Sequence, residues 1–271
     1  MLDLTSVTTI KALLAKYGAS PSKIMGQNFL VHALTLARII EAAELAPSDT
    51  VLEIGPGLGT LTQALAQKAK KVIAVEKDRA MAEILKETLK DYKNVEIIQG
   101  NALNYSLQTT HYKLVANLPY YITSPVIRLF LEAKNPPTSM VLMVQKEVAQ
   151  RICAKPPHMS ILAVSVQFYA KAQIISYVSK ECFWPKPKVD SAIIKITPWD
   201  TNIDVPADTF FTIVKAGFAH PRKQLAGNLA TGLAIDKSAV QQWLLKNNLQ
   251  PTQRAETLAI QDWVNLTNTL L

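Results

Sequence analysis

The chain has 271 residues, 49% of them hydrophobic and 18% charged, with a net charge of +8 and a sequence pI of about 9.3. Such a composition supports a packed core of one or two domains and excludes an intrinsically disordered chain. The basic excess favours a polyanionic partner, nucleic acid first, and it is uneven: all of the net +8 falls in residues 1–199, while residues 200–271 hold six basic against six acidic side chains.

In chain order, two helices are predicted at 6–17 and 32–45, flanking a loop at 18–30. From residue 50 short apolar runs alternate with helical patterns. Strands are predicted at 50–54, 71–76, 95–99, 113–117 and 139–145, with two more at 173–178 and 189–197. Asp78 stands where an N-cap opens a helix over 78–91. This alternation predicts a parallel sheet covered by helices on both faces, a Rossmann-like α/β fold. Beyond Pro198 only helical stretches remain, at 208–219, 223–232, 236–247 and 255–271. Two domains are expected, 1–199 and a small all-helical 200–271, with Trp243 and Trp263 in the core of the second.

Cys153 and Cys182 form no CxxC pair, and no His/Cys cluster has metal spacing, so no metal is expected. The apolar stretch 160–178 is interrupted by Gln167, Lys171 and Gln173, which argues against a membrane span. The N-terminus carries Asp3, has no arginine before Arg38 and lacks an apolar h-region, so it reads as neither transit nor signal peptide. The expectation is a soluble cytoplasmic protein, read as a monomer.

The strongest local signal is the run 51–59 (VLEIGPGLG), a strand that ends in a glycine-rich turn before a helix. Glycines at 55 and 57 let a ligand approach the backbone. Dinucleotide-binding folds use a close relative of this turn, and a tight turn without a ligand would look similar. Two features favour a methyltransferase. Glu53 precedes the glycines, where a carboxylate can meet a cationic amino-acid moiety and would repel a pyrophosphate. Pro56 removes an N–H that a phosphate would use. Glu76, at the end of the second strand, is placed to accept from ribose hydroxyls in either class.

Asn117-Leu118-Pro119-Tyr120 ends the fourth strand. Ligands of open parallel sheets bind outside the carboxyl ends of the strands. The N6 nitrogen of adenine is a poor nucleophile because its lone pair is delocalised. The Asn117 side-chain oxygen and the Leu118 carbonyl can accept its hydrogens and turn the lone pair toward a methyl donor. Tyr120 offers a flat face for the base. Positioning and electrostatics then carry the catalysis without a strong general base.

With these motifs the chain resembles the ribosomal RNA adenine dimethyltransferase family, and within it the small-subunit branch. The resemblance covers nearly the whole chain. It rests on 23–30 (KIMGQNFL), 53–62 (EIGPGLGTLT), 76–78 (EKD), 117–120 (NLPY), 182–191 (CFWPKPKVDS), 218–225 and 253–258 (QRAETL). It implies dimethylation of two adjacent adenosines near the 3′ end of 16S rRNA in the small ribosomal subunit. The methyl donor implied is S-adenosylmethionine, with S-adenosylhomocysteine as product. It further implies that Asn28, Leu30, Glu53, Gly55, Gly57, Glu76, Asn101, Ala102 and Asn117 hold the cofactor. Asn117, Leu118, Tyr120 and Phe183 would then address the target base.

Lys23, Lys186, Lys188, Arg222 and Lys223 are the candidate RNA contacts. The chain departs from the family in Asn101, where an aspartate is usual, and in Pro221, where an arginine is. Two other readings remain: a 23S rRNA adenine N6-methyltransferase conferring antibiotic resistance, and an RNA-binding assembly factor with weakened catalysis.

Overall fold

The computed structural model describes residues 2–105, 109, 111–200 and 203–270. It divides into two compact units: residues 1–149 with 173–198, and residues 150–172 with 199–271. The chain thus crosses between the units three times, at 149/150, 172/173 and 198/199, where a single boundary at 199/200 was expected. The second unit also takes in 150–172, a segment that the change of pattern at Pro198 could not flag.

The strands are β1 (Phe29–Leu30), β2 (Thr50–Ile54), β3 (Lys71–Glu76), β4 (Val95–Gln99), β5 (Lys113–Asn117), β6 (Ser139–Gln145), β7 (Ala170–Val178), β8 (Phe183–Trp184) and β9 (Ser191–Pro198). The helices are α1 (Val7–Lys16), α2 (Ala33–Ala43), α3 (Thr60–Ala66), α4 (Arg79–Thr88), α5 (Thr123–Leu131), α6 (Lys146–Ile152), α7 (Ile161–Gln167), α8 (Ala207–Gly217), α9 (Leu225–Leu233), α10 (Lys237–Lys246) and α11 (Ile260–Asn268).

The sheet order is β4-β3-β2-β5-β6-β9-β7, with β1 and β8 forming a separate two-stranded ribbon. The central strands are parallel, as expected, through the pairs β3–β4, β2–β3, β2–β5 and β5–β6. The expectation of a wholly parallel sheet fails at β9. It runs antiparallel to β6, from Met140 opposite Ile196 to Gln145 opposite Ser191. Apolar periodicity reports which faces of a strand are buried and carries no information on its direction.

Every residue of β6 but Gln145 is buried, as is all of β2 but Thr50, so both faces must be covered. Val51, Val115, Val141, Met143 and Ile193 pack with Ile39 and Ala43 of α2 and Leu61 and Leu65 of α3. Alternate residues such as Leu52, Leu114 and Leu142 are buried on the other face. Asp78 caps α4 as expected, its carboxylate accepting from the N–H groups of Ala80 and Met81. Helix α1 lays Ile10, Leu13 and Leu14 against Phe29, Leu58, Met81 and Ile84.

In the second unit Trp243 and Trp263 are fully buried, among Phe210, Leu229 and Leu258. The helix expected over 255–271 is a 3-10 turn at Ala255–Thr257 followed by α11; Leu271 lies outside the described residues. The apolar stretch 160–178 is helix α7 followed by β7. Among the described residues no helix is long and apolar enough to cross a membrane.

Candidate functional site

A cleft opens at the C-terminal ends of β2, β3, β4 and β5. It is walled by 53–58, 75–77, 100–103 and 117–122, by the N-terminal segment 25–30, and by Phe183. All of these belong to the first unit. The cofactor and base-site residues expected from the sequence, from Asn28 to Phe183, line this one cleft.

The glycine turn is built on backbone that side chains resist. Gly55 and Gly57 have φ of 68° and 59°. A Cβ on Gly55 would stand 3.5 Å from Pro119 of the tetrapeptide; one on Gly57 would stand 3.2 Å from the Phe29 ring. The turn is therefore pressed between the tetrapeptide and the N-terminal segment.

Two carboxylates are buried beneath it. Glu53 is only 1% exposed, and its Oε2 has no hydrogen-bond partner among the described residues. Burial, assisted by the nearby Glu76 charge, pushes its carboxyl up to about 8. A buried carboxylate oxygen without a partner beside a cleft could meet a cation that a ligand brings. Glu76 accepts the Gly57 N–H at 3.0 Å and the Asp78 N–H at 2.8 Å. Burial still raises its carboxyl above the ordinary range. One bond to each oxygen leaves further lone pairs for a diol. The lining fits a nucleoside with a cationic tail: a buried acid with one free oxygen for the cation, a second acid to accept from the hydroxyls, and glycine backbone between them.

Asn101 is exposed and caps a 3-10 turn, its Oδ1 accepting the Leu103 N–H at 3.1 Å. The oxygen expected to meet an adenine amino group is thus already engaged once and has one lone pair left. Ala102 beside it is buried.

At the end of β5 the Asn117 Nδ2 donates to the Asn28 carbonyl at 3.3 Å. That bond uses the amide's donor end and leaves Oδ1 as the acceptor. The Leu118 N–H donates to Met143 O at 3.3 Å, tying the tetrapeptide to β6. Tyr120 is half-buried, and its hydroxyl hydrogen-bonds Ser191 at 2.8 Å. Burial raises that hydroxyl above its ordinary value, so it stays protonated. Phe183 is more deeply buried than its expected stacking role suggested: it pairs with Leu30 across the β1–β8 ribbon and packs in the core beside α2. Only part of its surface reaches the cleft.

Sequence reasoning missed the latch on the N-terminal segment. Gln27 Nε2 donates to Asp78 Oδ2 at 2.9 Å, while Gln27 Oε1 accepts the Ser22 N–H at 2.8 Å. The Asn28 side chain donates to Gly26 O at 3.0 Å, so it serves the local turn. Gln27 stood inside the motif 23–30, but nothing in one sequence pairs it with Asp78.

The basic candidates fall in both units. Lys23 and Lys188 are exposed in the first; Lys186 there forms a short ion pair with Glu181. Arg222 and Lys223 are exposed on the turn between α8 and α9 in the second. Among the described residues no group of His, Cys, Asp and Glu could hold a metal ion.

The family model described as ribosomal RNA adenine dimethylase matches residues 20–271. The ribosomal RNA small subunit methyltransferase A of Dehalococcoides mccartyi is 45% identical over 263 residues, which cover 94% of this chain and 90% of that protein. The protein of the same name from Alkaliphilus metalliredigens is 40% identical across 98% of both chains. Among solved structures, the 23S rRNA methyltransferase ErmE matches with a TM-score of 0.77 and 28% identity, over 90% of this chain and 99% of its own. A dimethyladenosine transferase from Plasmodium falciparum matches with the same score and identity, over 88% and 95%. A Rossmann-like sheet, a glycine turn over paired acids, a tetrapeptide facing that turn and these full-length matches agree: the chain belongs to the ribosomal RNA adenine dimethylase family and is an rRNA-modifying methyltransferase.

Proposed function

We propose that the protein dimethylates the N6 amino groups of two adjacent adenosines near the 3′ end of 16S rRNA, within the cytoplasmic small ribosomal subunit, using S-adenosylmethionine. The observation that carries this reading is the Asn117 side chain. Its amide nitrogen is spent on the Asn28 carbonyl at 3.3 Å, in a cleft that also holds the glycine turn, Glu53 and Glu76. Its oxygen is thereby fixed as an acceptor at the mouth of a nucleoside site.

When bound, S-adenosylmethionine supplies an electrophilic methyl group. Glu53 would hold its cationic amino end and Glu76 its ribose hydroxyls, with the backbone at Gly55 and Gly57 lining the space between. Asn28, Leu30, Asn101 and Ala102 complete the lining. Asn117 Oδ1 and the Leu118 carbonyl accept the amine hydrogens of the adenine, which frees the nitrogen lone pair. Tyr120 and Phe183 hold the base by stacking, each contact contributing about 1–3 kcal/mol. The proton lost after transfer goes to solvent. Lys23, Lys186, Lys188, Arg222 and Lys223 meet RNA phosphates, and residues 200–271 recognise the folded ribosomal RNA.

Near-full-length relatives named for the small subunit, at 37–45% identity, favour this substrate over 23S RNA. The test is incubation with labelled S-adenosylmethionine and undermethylated small or large subunits. Label confined to two neighbouring adenosines of the small-subunit RNA supports the reading. Label in large-subunit RNA supports the 23S alternative, and cofactor binding without transfer supports an assembly factor.

A further inference from the structure

A stacking slot works only if its two aromatic walls are held at a fixed spacing. The Tyr120 wall is not fixed by its own element, and Phe183, though held in β8 and the core, is delivered by a short turn. Tyr120 sits on a three-residue 3-10 turn with no buried residue. Phe183 follows another such turn, Lys180–Cys182. The two turns are tied to two adjacent residues, Ser191 at the start of β9 and Asp190 just before it. Ser191, fully buried, holds the Tyr120 hydroxyl at 2.8 Å. Asp190 Oδ1 accepts the Lys180 N–H at 3.0 Å, at the head of the turn that delivers Phe183. The Asp190 carbonyl also accepts the Lys146 N–H at 3.0 Å, and Ser191 is in register with Gln145 of β6. The brace is thus anchored to the central sheet.

Stacking itself needs no hydroxyl, since phenylalanine offers the same face. The Tyr120 hydroxyl reaches instead to the buried Ser191. We propose that Asp190 and Ser191 are positioning residues that set the spacing of the Tyr120–Phe183 slot, Ser191 through the Tyr120 hydroxyl and Asp190 through the Lys180 backbone. The inference rests on the reading of Tyr120 and Phe183 as the base slot.

The test uses the full chain, undermethylated small subunits and saturating S-adenosylmethionine, with single-turnover transfer as the readout. Cofactor affinity by calorimetry and Tm are measured in parallel. Ser191→Ala, Tyr120→Phe and Asp190→Ala should each slow transfer about tenfold, the scale of one hydrogen bond. Cofactor affinity should stay within about twofold. The double variant Ser191→Ala with Tyr120→Phe should be no slower than either single one. Asp190→Asn keeps an acceptor oxygen and should restore most of the rate. Should Ser191→Ala not fold, Tyr120→Phe breaks the same bond from its other end.

Multiplying effects in the double variant, or full rates in Ser191→Ala and Asp190→Ala, would overturn the brace. An equal loss of cofactor affinity in all variants would also overturn it, by reducing the two residues to a general structural role. Tyr120→Ala separates the two readings: full activity there removes the base slot itself, whereas a large loss beside full rates in the brace variants removes only the brace.

Discussion

Asn117 gives the sharpest residue-scale expectation. Asn117→Ala should leave cofactor binding largely in place and slow methyl transfer about a hundred- to a thousand-fold, as when one preorganised group at a reacting centre is removed. Near-native turnover would contradict its role in orienting the amine. Glu53 gives a pH dependence. Its carboxyl lies near 8 in the folded ligand-free protein against 4.5 unfolded. The folded state keeps the proton that the unfolded state loses, so stability falls as pH rises from about 4.5 to 8, by at most about 5 kcal/mol. Glu53→Gln should remove the Glu53 share of that slope and leave the part from Glu76: thermal unfolding should show the variant gaining on the native protein as pH rises, while calorimetry shows weaker cofactor binding. A stability difference independent of pH would show that Glu53 is ionised in the folded protein across that range.

Asn101→Asp should bind the cofactor at least as well as the native protein, because a carboxylate caps the 102–104 turn and still accepts from an amine. The acids, glycines and tetrapeptide were legible in the sequence because strand ends bring them to one edge of the sheet. Gln27 with Asp78, and Tyr120 with Ser191, were not, since those bonds join residues 51 and 71 positions apart.

At the scale of elements, the alternation of apolar runs located the seven strands of the sheet with small errors, because burial on both faces leaves a short unbroken apolar signature. The reversal of β9 and the shortened last helix were invisible for the same reason: burial does not encode direction, and Leu258 is buried although helical geometry stops there. Close helix approach is another feature that composition hides. A Cβ on Gly232 of α9 would stand 2.9 Å from the Ala216 Cα of α8, and one on Gly217 2.5 Å from the Trp263 ring. Gly232→Ala should therefore destabilise the second unit by about 1–3 kcal/mol through overpacking, despite alanine's better helix propensity. Urea unfolding with an unchanged midpoint would show that α8 and α9 have room to part.

For the whole molecule, the division into units changes the reading of charge. Segment 150–172 carries Arg151, Lys155 and Lys171 and no acidic residue, so the unit that contains α8–α11 is itself basic. Drawing the boundary at 199/200 had assigned the whole net +8 to the first domain and left the second balanced. Within the first unit, Lys186 is paired with Glu181 while Lys188 is exposed. An exposed ion pair contributes little and can be exchanged for a phosphate. Reversing Lys186 and Lys188 together to glutamate should weaken binding to the small subunit and reduce the salt slope by about 2. An unchanged slope would remove both from the RNA surface.

On the proposed reading, a target adenine must leave its stack to reach Tyr120, at a cost of a few kcal/mol. A folded particle that already holds the loop open should therefore be preferred to the bare hairpin. The most direct measurement is mass spectrometry of nucleosides from undermethylated small subunits after incubation with the protein and S-adenosylmethionine. N6,N6-dimethyladenosine should appear at two adjacent positions near the 3′ end of the small-subunit RNA, and be lost with Asn117→Ala. Adenosine left unmodified there, or dimethylation found only in large-subunit RNA, would contradict the proposed activity.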